Sequence, residues 1–528
     1  MQNSTARKYL FIILIAIITA VSFLYLIRPI ADPDFFWHLK SGQLITEQKE
    51  LPSQDPFAYT STAKPTEWKH LILTGYWLSQ ITYSLFYQIS GLLGIVFLRF
   101  ITVAALVFIM FKRRYGDNTL YAGLILLFIV SILETFPIER PQVFSFLFFA
   151  LLLLFLEKLR NDHSTAKRNI YVCTVPLLML IWANTHPGYL VGQGALLLYV
   201  LLEGIKFFHP LLRPIKKEAY QKLLLACFMG IVFSFINPAT FHAFELLRLP
   251  TYLSILSSSN IGFITNQEYM SSVQIFEKFN DYSIILYWFT MLLTFAALIV
   301  NFKKTDITDI ALLAGTGFFS FMQVRYIPFF LIASLPVISR SFSKQNLATL
   351  AKVILIPSAV IAALFFAGDE TANIKNFRTG SWIDENRYPV KSTDFIISSN
   401  IRGNMYNHYN WGGYLIWRLA PERKVFIDGR FLDDKIYMQA MTLNIAYSKE
   451  GEAVPKWKSI LESYNVNYII TPISEPSDPF IPLVNALLYD NDWSLVFAES
   501  NSMVFIKNIP ENFSIINKYA IPKRYLSR

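Results

Sequence analysis

Two carboxylates separated by a single proline stand in the segment Asp32-Pro33-Asp34-Phe35-Phe36-Trp37-His38. Aspartates at this spacing can act as a general base, hold a divalent cation, or do both. Close to an apolar surface, burial of such an acid raises its proton affinity. The bland alternative is an acidic turn at a membrane surface, with Trp37 as an interface anchor and His38 solvated, and the spacing leaves both readings open. Other chemically capable residues follow at intervals. They are Asp55-Pro56-Phe57-Ala58-Tyr59-Thr60, Glu67-Trp68-Lys69-His70, Arg140-Pro141-Gln142, Asn184-Thr185-His186, Asn237-Pro238, Gln267-Glu268-Tyr269 and Arg325. Two arginines, Arg140 and Arg325, in a set that also holds acids suit an anionic group such as a lipid phosphate. Taken singly, the arginines read as snorkelling side chains, and Asn184 and Asn237 as helix caps. Taken together, their common position at one end of successive apolar runs favours a site. Near the C-terminus, Tyr406-Asn407-His408-Tyr409-Asn410-Trp411-Gly412-Gly413-Tyr414 fits either a sugar-binding surface or a strand–turn–helix core. Asp428-Gly429 after Val425-Phe426-Ile427 reads as a turn following a buried strand.

The elements that must carry these residues are membrane helices. Of 528 residues, 54% are hydrophobic and only 16% charged, where a soluble protein has roughly 25%. Mean hydropathy is +0.39. This composition excludes a soluble enzyme, a disordered chain and a disulfide-rich secreted module. Apolar runs near the ~20 residues a bilayer requires fall at 9–27, 92–111, 120–136, 143–156, 170–183, 190–205, 223–236, 283–300, 307–322, 327–338 and 353–366. The first lacks a small-residue cleavage site and reads as an uncleaved anchor. With the N-terminus inside, the inner connections hold most of the Lys and Arg, among them Lys112, Arg113, Arg114, Lys216, Lys217 and Lys222. The outer connections after the long first loop hold Arg140, Arg248, Lys278 and Arg325. That asymmetry sets the N-terminus inside. It also accounts for the net charge of +10 without a nucleic-acid partner.

The expected architecture is thus a polytopic α-helical membrane protein of about 11 transmembrane helices, with a C-terminal extracytoplasmic α/β domain. The transmembrane domain spans 1–367. Its first outer loop, about 28–91, contains an amphipathic interfacial helix over 68–87. The extracytoplasmic domain spans 368–528, with strands expected at 424–427, 467–471, 494–498 and 503–506 and helices at 457–464 and 481–488. Cys173 and Cys227 both lie in apolar segments, which excludes a disulfide or cysteine-based metal site. A phosphate-cradling glycine loop with Lys-Ser/Thr, GxGxxG and HExxH are all missing from the sequence, so an ATP-driven pump, a nucleotide-binding enzyme and a zincin are excluded.

The segments DPDFFWHLKSGQLI, DPFAYT, ERPQVFSFLFF, LLMLIWANTHPGYLVG, FINPATFHAF, NQEYMSS, QVRYIPFF, NWGGYLIW and VFIDGR, in this order, resemble the GT-C superfamily of integral-membrane glycosyltransferases. Within it the chain is similar to bacterial protein-mannosyltransferase and aminoarabinose-transferase-like membrane proteins. The resemblance implies transfer of a sugar from a polyprenyl-phosphate donor to a glycan, lipid or protein acceptor on the outer face of the bacterial inner membrane. It implies Asp34 or Asp32 as the base, with Arg140 and Arg325 stabilising the leaving phosphate. Glu268 would be a second acid, and His38, His186 and Asn184 would support the substrates. Some members use a divalent metal such as Mg or Mn and others none. The ligands here would be Asp32, Asp34 and Glu268. The chain departs from the family pattern at Thr74-Gly75-Tyr76-Trp77-Leu78, where a His-Glu-Trp-Leu segment offers an acid in other members. A lipid-linked glycan ligase or polymerase would have a basic central outer loop, but residues 239–281 hold only Arg248 and Lys278. A transporter would show polar residues at mid-bilayer and internal symmetry. A non-catalytic scaffold would tolerate substitution of Asp34.

Overall fold

A computed structural model describes residues 2–61, 67–114, 119, 121–125, 128, 138–161, 164–209, 212, 214–239, 267–341, 356–357, 360, 371–430, 432–448, 454–473 and 481–522. The chain is mostly helical and divides into two compact units. Unit one is Met1–Arg28 with Phe86–Trp382, and unit two is Pro29–Leu85 with Ile383–Arg528. This division differs from the domain bounds expected from sequence, because the first loop groups with the C-terminal residues. Two parallel bridges, Ile30 to Ile383 and Ala58 to Val425, stitch the two stretches of unit two together.

The helices in chain order begin with α1 (Gln2–Leu26), α2 (Phe35–Gln48), α3 (Glu67–Thr74), α4 (Trp77–Ser90) and α5 (Leu92–Lys112). Then come α6 (Gln142–Asn161), α7 (Thr165–Thr185), α8 (Tyr189–Ile205), α9 (Lys217–Ser234) and α10 (Ser272–Phe279). Helices α11 (Ser283–Asn301), α12 (Ile307–Met322), α13 (Ile327–Ser341) and α14 (Thr371–Thr379) follow among the described residues of unit one. Among the described residues, five stretches are long and apolar enough to cross a membrane: Lys8–Leu26, Leu92–Lys112, Gln142–Asn161, Tyr189–Phe208 and Ser283–Asn301. The protein is a multi-pass membrane protein. The runs expected at 170–183, 223–236 and 327–338 fall within α7, α9 and α13. Those at 120–136 and 353–366 lie largely outside the described residues.

An apolar bundle tolerates charge best where it is paired, and Arg99, Arg113, Arg160 and Lys206, all buried in unit one, have acidic partners. Arg99 binds Glu139 at 2.5 Å and also donates to the Leu26 and Arg28 carbonyls at the end of α1. Arg113 on α5 meets Glu157 on α6 at 2.7 Å. Arg160 on α6 meets Asp309 on α12 at 3.0 Å, while Lys206 bridges Glu203 and Asp306, each at 2.6 Å. These pairs fasten neighbouring helices at set heights. Small residues set the close crossings: Gly230 of α9 lies against Val175, Met179 and Leu196, so a side chain there would press on α7 and α8.

In unit two, the helix expected over 68–87 is two helices. The break falls at Gly75, whose N–H closes onto the Leu71 carbonyl at 2.7 Å, and whose α-carbon lies too close to that carbonyl for a Cβ. One face of α4 packs on α2, with Tyr83 edge-on to Phe35 at 5.5 Å. The C-terminal part of unit two adds α15 (Val390–Ser398), β1 (Asn404–Asn407), α16 (Gly412–Leu419), α17 (Asp434–Asn444), α18 (Lys456–Ser463), β2 (Val466–Pro472), α19 (Pro482–Tyr489), β3 (Trp493–Ala498), β4 (Ser502–Lys507) and α20 (Phe513–Tyr519). The strands form one mixed sheet in the order β1-β2-β4-β3, parallel between β1 and β2 and antiparallel elsewhere. The runs expected at 467–471, 494–498 and 503–506 are β2, β3 and β4.

The segment 424–427 is no strand of this sheet. It makes only the bridge to Ala58, because its other edge is taken by the Asn407 side chain, which accepts from Phe426 N–H and donates to the Ile427 carbonyl, both at 2.8 Å. The missed strand is β1, inside the tyrosine-rich segment. Tyr406, Trp411 and Tyr414 are all buried, so this segment is the strand–turn–helix core rather than an aromatic surface. Trp457, Trp493, Phe505, Leu483 and Leu487 pack with Tyr406 in the same core. Truncating Trp457 to Ala is expected to cost about 3–5 kcal/mol, read as a drop in the thermal midpoint of the purified full-length chain.

Candidate functional site

In unit two the acidic segment is the corner that starts α2. Asp32 is buried, and its Oδ1 accepts the backbone N–H groups of Asp34 at 2.9 Å and Phe35 at 3.2 Å. It does what a capping side chain does, satisfying donors that the first helical turn leaves open. Asp34 is turned the other way. Its Oδ1 accepts the Trp37 indole N–H at 3.2 Å, and it lies on Gly429, where a Cβ would collide with it. Pro33 is equally close to Gly413, whose Cβ would meet the Pro33 carbonyl. His38 is buried beside Trp37 and Tyr76, and its Nδ1 lies 3.3 Å from Gln80 Nε2. His38 is therefore a core residue and not the solvated one of the bland alternative.

Beside Gly429 lies an ion triad. Arg430 grips Asp428 through Nε at 2.7 Å and Nη2 at 2.6 Å, and reaches Asp55 through Nη1 at 2.7 Å. All three side chains are at most 4% exposed. The guanidinium also faces the Phe57 ring at 5.2 Å. Burial pushes the Asp55 carboxyl up, against the pull of Arg430 and with the push of Asp428. Its Oδ2 has no partner among the described residues. Burial opposes the Arg430 charge, but Asp428 and Asp55 more than offset it and hold the guanidinium above its usual range. Sequence reasoning named the DPFAYT and VFIDGR segments but gave Asp55, Asp428 and Arg430 no role. Their distance along the chain hid the pairing.

Unit one gathers a second set. Arg140, just before α6, is paired with Glu268. Arg325 lies over the Tyr269 ring at 4.8 Å, and its carbonyl accepts from Gln142 Nε2 at 3.4 Å. Met270 and Val324 join the two connections through a backbone hydrogen bond of 3.0 Å. Arg140, Glu268 and Arg325 thus come together as the sequence suggested, with Tyr269 as the member it passed over. Asn184 does structural work: its amide donates to the Leu180 and Ile236 carbonyls, both at 2.8 Å, tying the end of α7 to the chain beyond α9. An apolar groove of about 390 Å³ in unit one is lined by Phe23, Leu26, Phe86, Phe97, Phe100 and Phe377 among others.

Comparison with solved structures decides the fold. The archaeal oligosaccharyltransferase AglB from Archaeoglobus fulgidus, in complex with an inhibitory peptide and a dolichol-phosphate, superposes with a TM-score of 0.53 at 11% identity over 94% of this chain and 75% of its own. ArnT from Cupriavidus metallidurans, bound to undecaprenyl phosphate, gives 0.54 at 13% identity over 94% and 98%. The arabinofuranosyltransferase AftD from Mycobacteria gives 0.54 at 11% over 96% of this chain, which spans 40% of that longer one. All three are GT-C glycosyltransferases. The chain has the GT-C fold. Neither protein-family models nor curated protein sequences give a match.

The chain offers no assembled cation site among the described residues, where no three His, Cys, Asp or Glu side chains converge as ligands. Of the three expected ligands, Asp32 spends an oxygen on two backbone N–H groups, and Glu268 is paired with Arg140. His186, just beyond α7, has its Nδ1 filled. Gly188 N–H donates to it at 2.9 Å, and the Ser145 hydroxyl, itself taking the Trp182 indole proton at 2.7 Å, lies 2.7 Å away. The neutral ring then carries its proton on Nε2. Burial, with the Arg325 charge as a second cause, pushes the His186 pKa from 6.5 down to about 3. The unfolded chain therefore binds a proton that the fold refuses between those values. Stability is full above about pH 6.5 and falls as the pH drops toward 3. His186→Asn, which keeps an acceptor and cannot be charged, is expected to flatten that acid limb, measured as thermal midpoint against pH.

Proposed function

We propose that this chain is a membrane glycosyltransferase that moves a sugar from a polyprenyl-phosphate carrier to an acceptor at the outer face of the membrane. The observation that carries the reading is the fold match with ArnT bound to undecaprenyl phosphate, which runs over 94% of this chain and 98% of that one. AglB, solved with dolichol-phosphate and a peptide, supports a lipid-phosphate donor. The apolar groove of unit one suits a hydrocarbon tail. We assign about 11 spans, an inner N-terminus and an outer C-terminal α/β domain.

In this reading the acceptor hydroxyl attacks the anomeric carbon and gives its proton to Asp34. The bond from that carbon to the phosphate oxygen breaks, and the polyprenyl phosphate leaves with the electron pair. Asp34 is assigned as base in preference to Asp32, whose oxygen is engaged by backbone N–H groups. Trp37 orients Asp34 through its indole N–H, and His38 packs on Trp37. Arg140 and Arg325 take the negative charge of the leaving phosphate, the electrostatic part of the catalysis. Glu268 holds Arg140 in place until the donor arrives. His186, neutral and proton-bearing at Nε2, is a hydrogen-bond donor that adds no charge.

Removing a general base costs about 10²–10⁴-fold in rate. Asp34→Asn at equal membrane abundance is expected to lose turnover on that scale. Mass spectrometry of lipid-linked sugars and surface glycans is to be compared in cells lacking the protein, cells restored with it, and cells carrying the variant. A polyprenyl-phosphate sugar that accumulates, together with a glycan modification that vanishes, in both the null and Asp34→Asn cells is the expected result. Full restoration by Asp34→Asn removes the proposed base and advances the transporter and scaffold readings. A periplasmic reporter joined after Arg528 is expected to be active. A cytoplasmic reporter active at that point would overturn the orientation.

A further inference from the structure

We infer that the Asp428-Gly429-Arg430 turn, locked by the Asp55–Arg430–Asp428 triad, is a positioning device for the Asp34 carboxylate. The inference rests on the reading of Asp34 as the base. Three observations in unit two support it. First, the turn is held at both ends by the same carboxylate: Asp428 Oδ1 accepts the Arg430 backbone N–H at 3.0 Å and its Nε at 2.7 Å. A turn closed in this way has little freedom left. Second, the turn is anchored to the stretch that follows α2. Asp55 meets Arg430, Val425 N–H donates to the Phe57 carbonyl at 3.0 Å, Tyr59 N–H donates to the Val425 carbonyl at 3.2 Å, and the Thr60 hydroxyl donates to the Phe426 carbonyl at 2.5 Å. Third, the middle residue of the turn has to be glycine, because the space its side chain would fill is occupied by Asp34 Oδ1.

The acid is thereby fixed from two sides. The Trp37 indole N–H holds Oδ1 from within α2, and the Gly429 α-carbon is the floor beneath it. The neighbouring Gly413 plays the same part for the Pro33 carbonyl, so the corner Asp32-Pro33-Asp34 cannot shift as a whole. Arg430 makes no contribution as an anion-binding group in this arrangement, since its guanidinium is buried and its three nitrogens each face Asp428 or Asp55. Asp55, Asp428, Gly429 and Arg430 act through Asp34 and are positioning residues.

The test uses the purified full-length chain, with the polyprenyl-phosphate sugar fraction extracted from membranes of cells lacking the protein as donor probe. Gly429→Ala pushes a methyl group into the place of the carboxylate oxygen. A misplacement on the order of 1 Å costs about 10²-fold in rate, so kcat is expected to fall by about that factor. The apparent KM for the extract should stay within about twofold. Asp428→Asn, which keeps the shape and loosens the grip on Arg430, is the second variant should Gly429→Ala not accumulate. It is expected to lower kcat about tenfold, again with KM unchanged. Wild-type kcat in both variants, or a parallel change in KM and thermal midpoint with no selective fall in kcat, overturns the positioning role. If Asp34→Asn itself turns over like wild type with the same extract, the reading of Asp34 as base fails, and this inference with it. If Asp34→Asn is inactive while Gly429→Ala is fully active, only the positioning role is lost.

Discussion

A guanidinium removed from water must be matched by carboxylates, or it unfolds what surrounds it. Arg430 is matched twice, and much of unit two is arranged to make that possible. Asp428 sits two residues away in the same turn, whereas Asp55 comes from the distant first loop. One positive charge between two acids leaves a surplus of negative charge, and burial first, with the Asp428 charge after it, raises the Asp55 carboxyl against the pull of Arg430. Breaking the cluster from one side would strand a buried charge, so the contact between the first loop and the C-terminal residues of this unit is hard to lose by degrees. The parallel bridge between Ala58 and Val425 and the hydrogen bonds around it follow the same line.

Unit one obeys the same rule in a drier setting. Arg99, Arg113, Arg160 and Lys206 each have an acidic partner, and each pair joins helices or helix ends that are remote in sequence. Arg140 and Arg325 differ from these in kind. Arg140 is 19% exposed and paired with a partly exposed Glu268, and Arg325 rests on an aromatic face. Cations held by one accessible acid or by a ring can exchange that partner for a phosphate at modest cost, and a fully buried pair cannot.

How much was legible in the sequence follows from the range of each interaction. The helices α1, α5, α6, α8 and α11 were readable because a bilayer demands a run of apolar residues, and the run itself is the signal. Strands β2, β3 and β4 and helices α18 and α19 were readable from local alternation and periodicity. The likeness to GT-C proteins was carried by short segments whose order survived. Roles were less readable. Asp32 and Asp34 look equivalent in sequence, and only the backbone N–H groups of the α2 corner tell them apart. His38 reads as solvated in the bland alternative and as a substrate support in the family resemblance, and nothing local reveals that Trp37, Tyr76 and Gln80 enclose it. Segment 424–427 has the composition of a strand, but the Asn407 side chain takes the place of a neighbouring strand. The triad could not be read at all, since Asp55 is separated from Asp428 and Arg430 by hundreds of residues.

That separation bears on how the protein is made. The Thr60 hydroxyl and the carbonyl it reaches are 366 positions apart, so the first loop is synthesised long before its partners exist. Until the ribosome has passed Arg430, Asp55 faces no guanidinium and Asp34 has no glycine beneath it. Closing so long a loop adds little entropy cost over a medium one, but it must wait for translation. The acid corner is therefore finished late, after the apolar helices of the chain between have been made. A chain released early would carry its helices and lack the floor of its own proposed base.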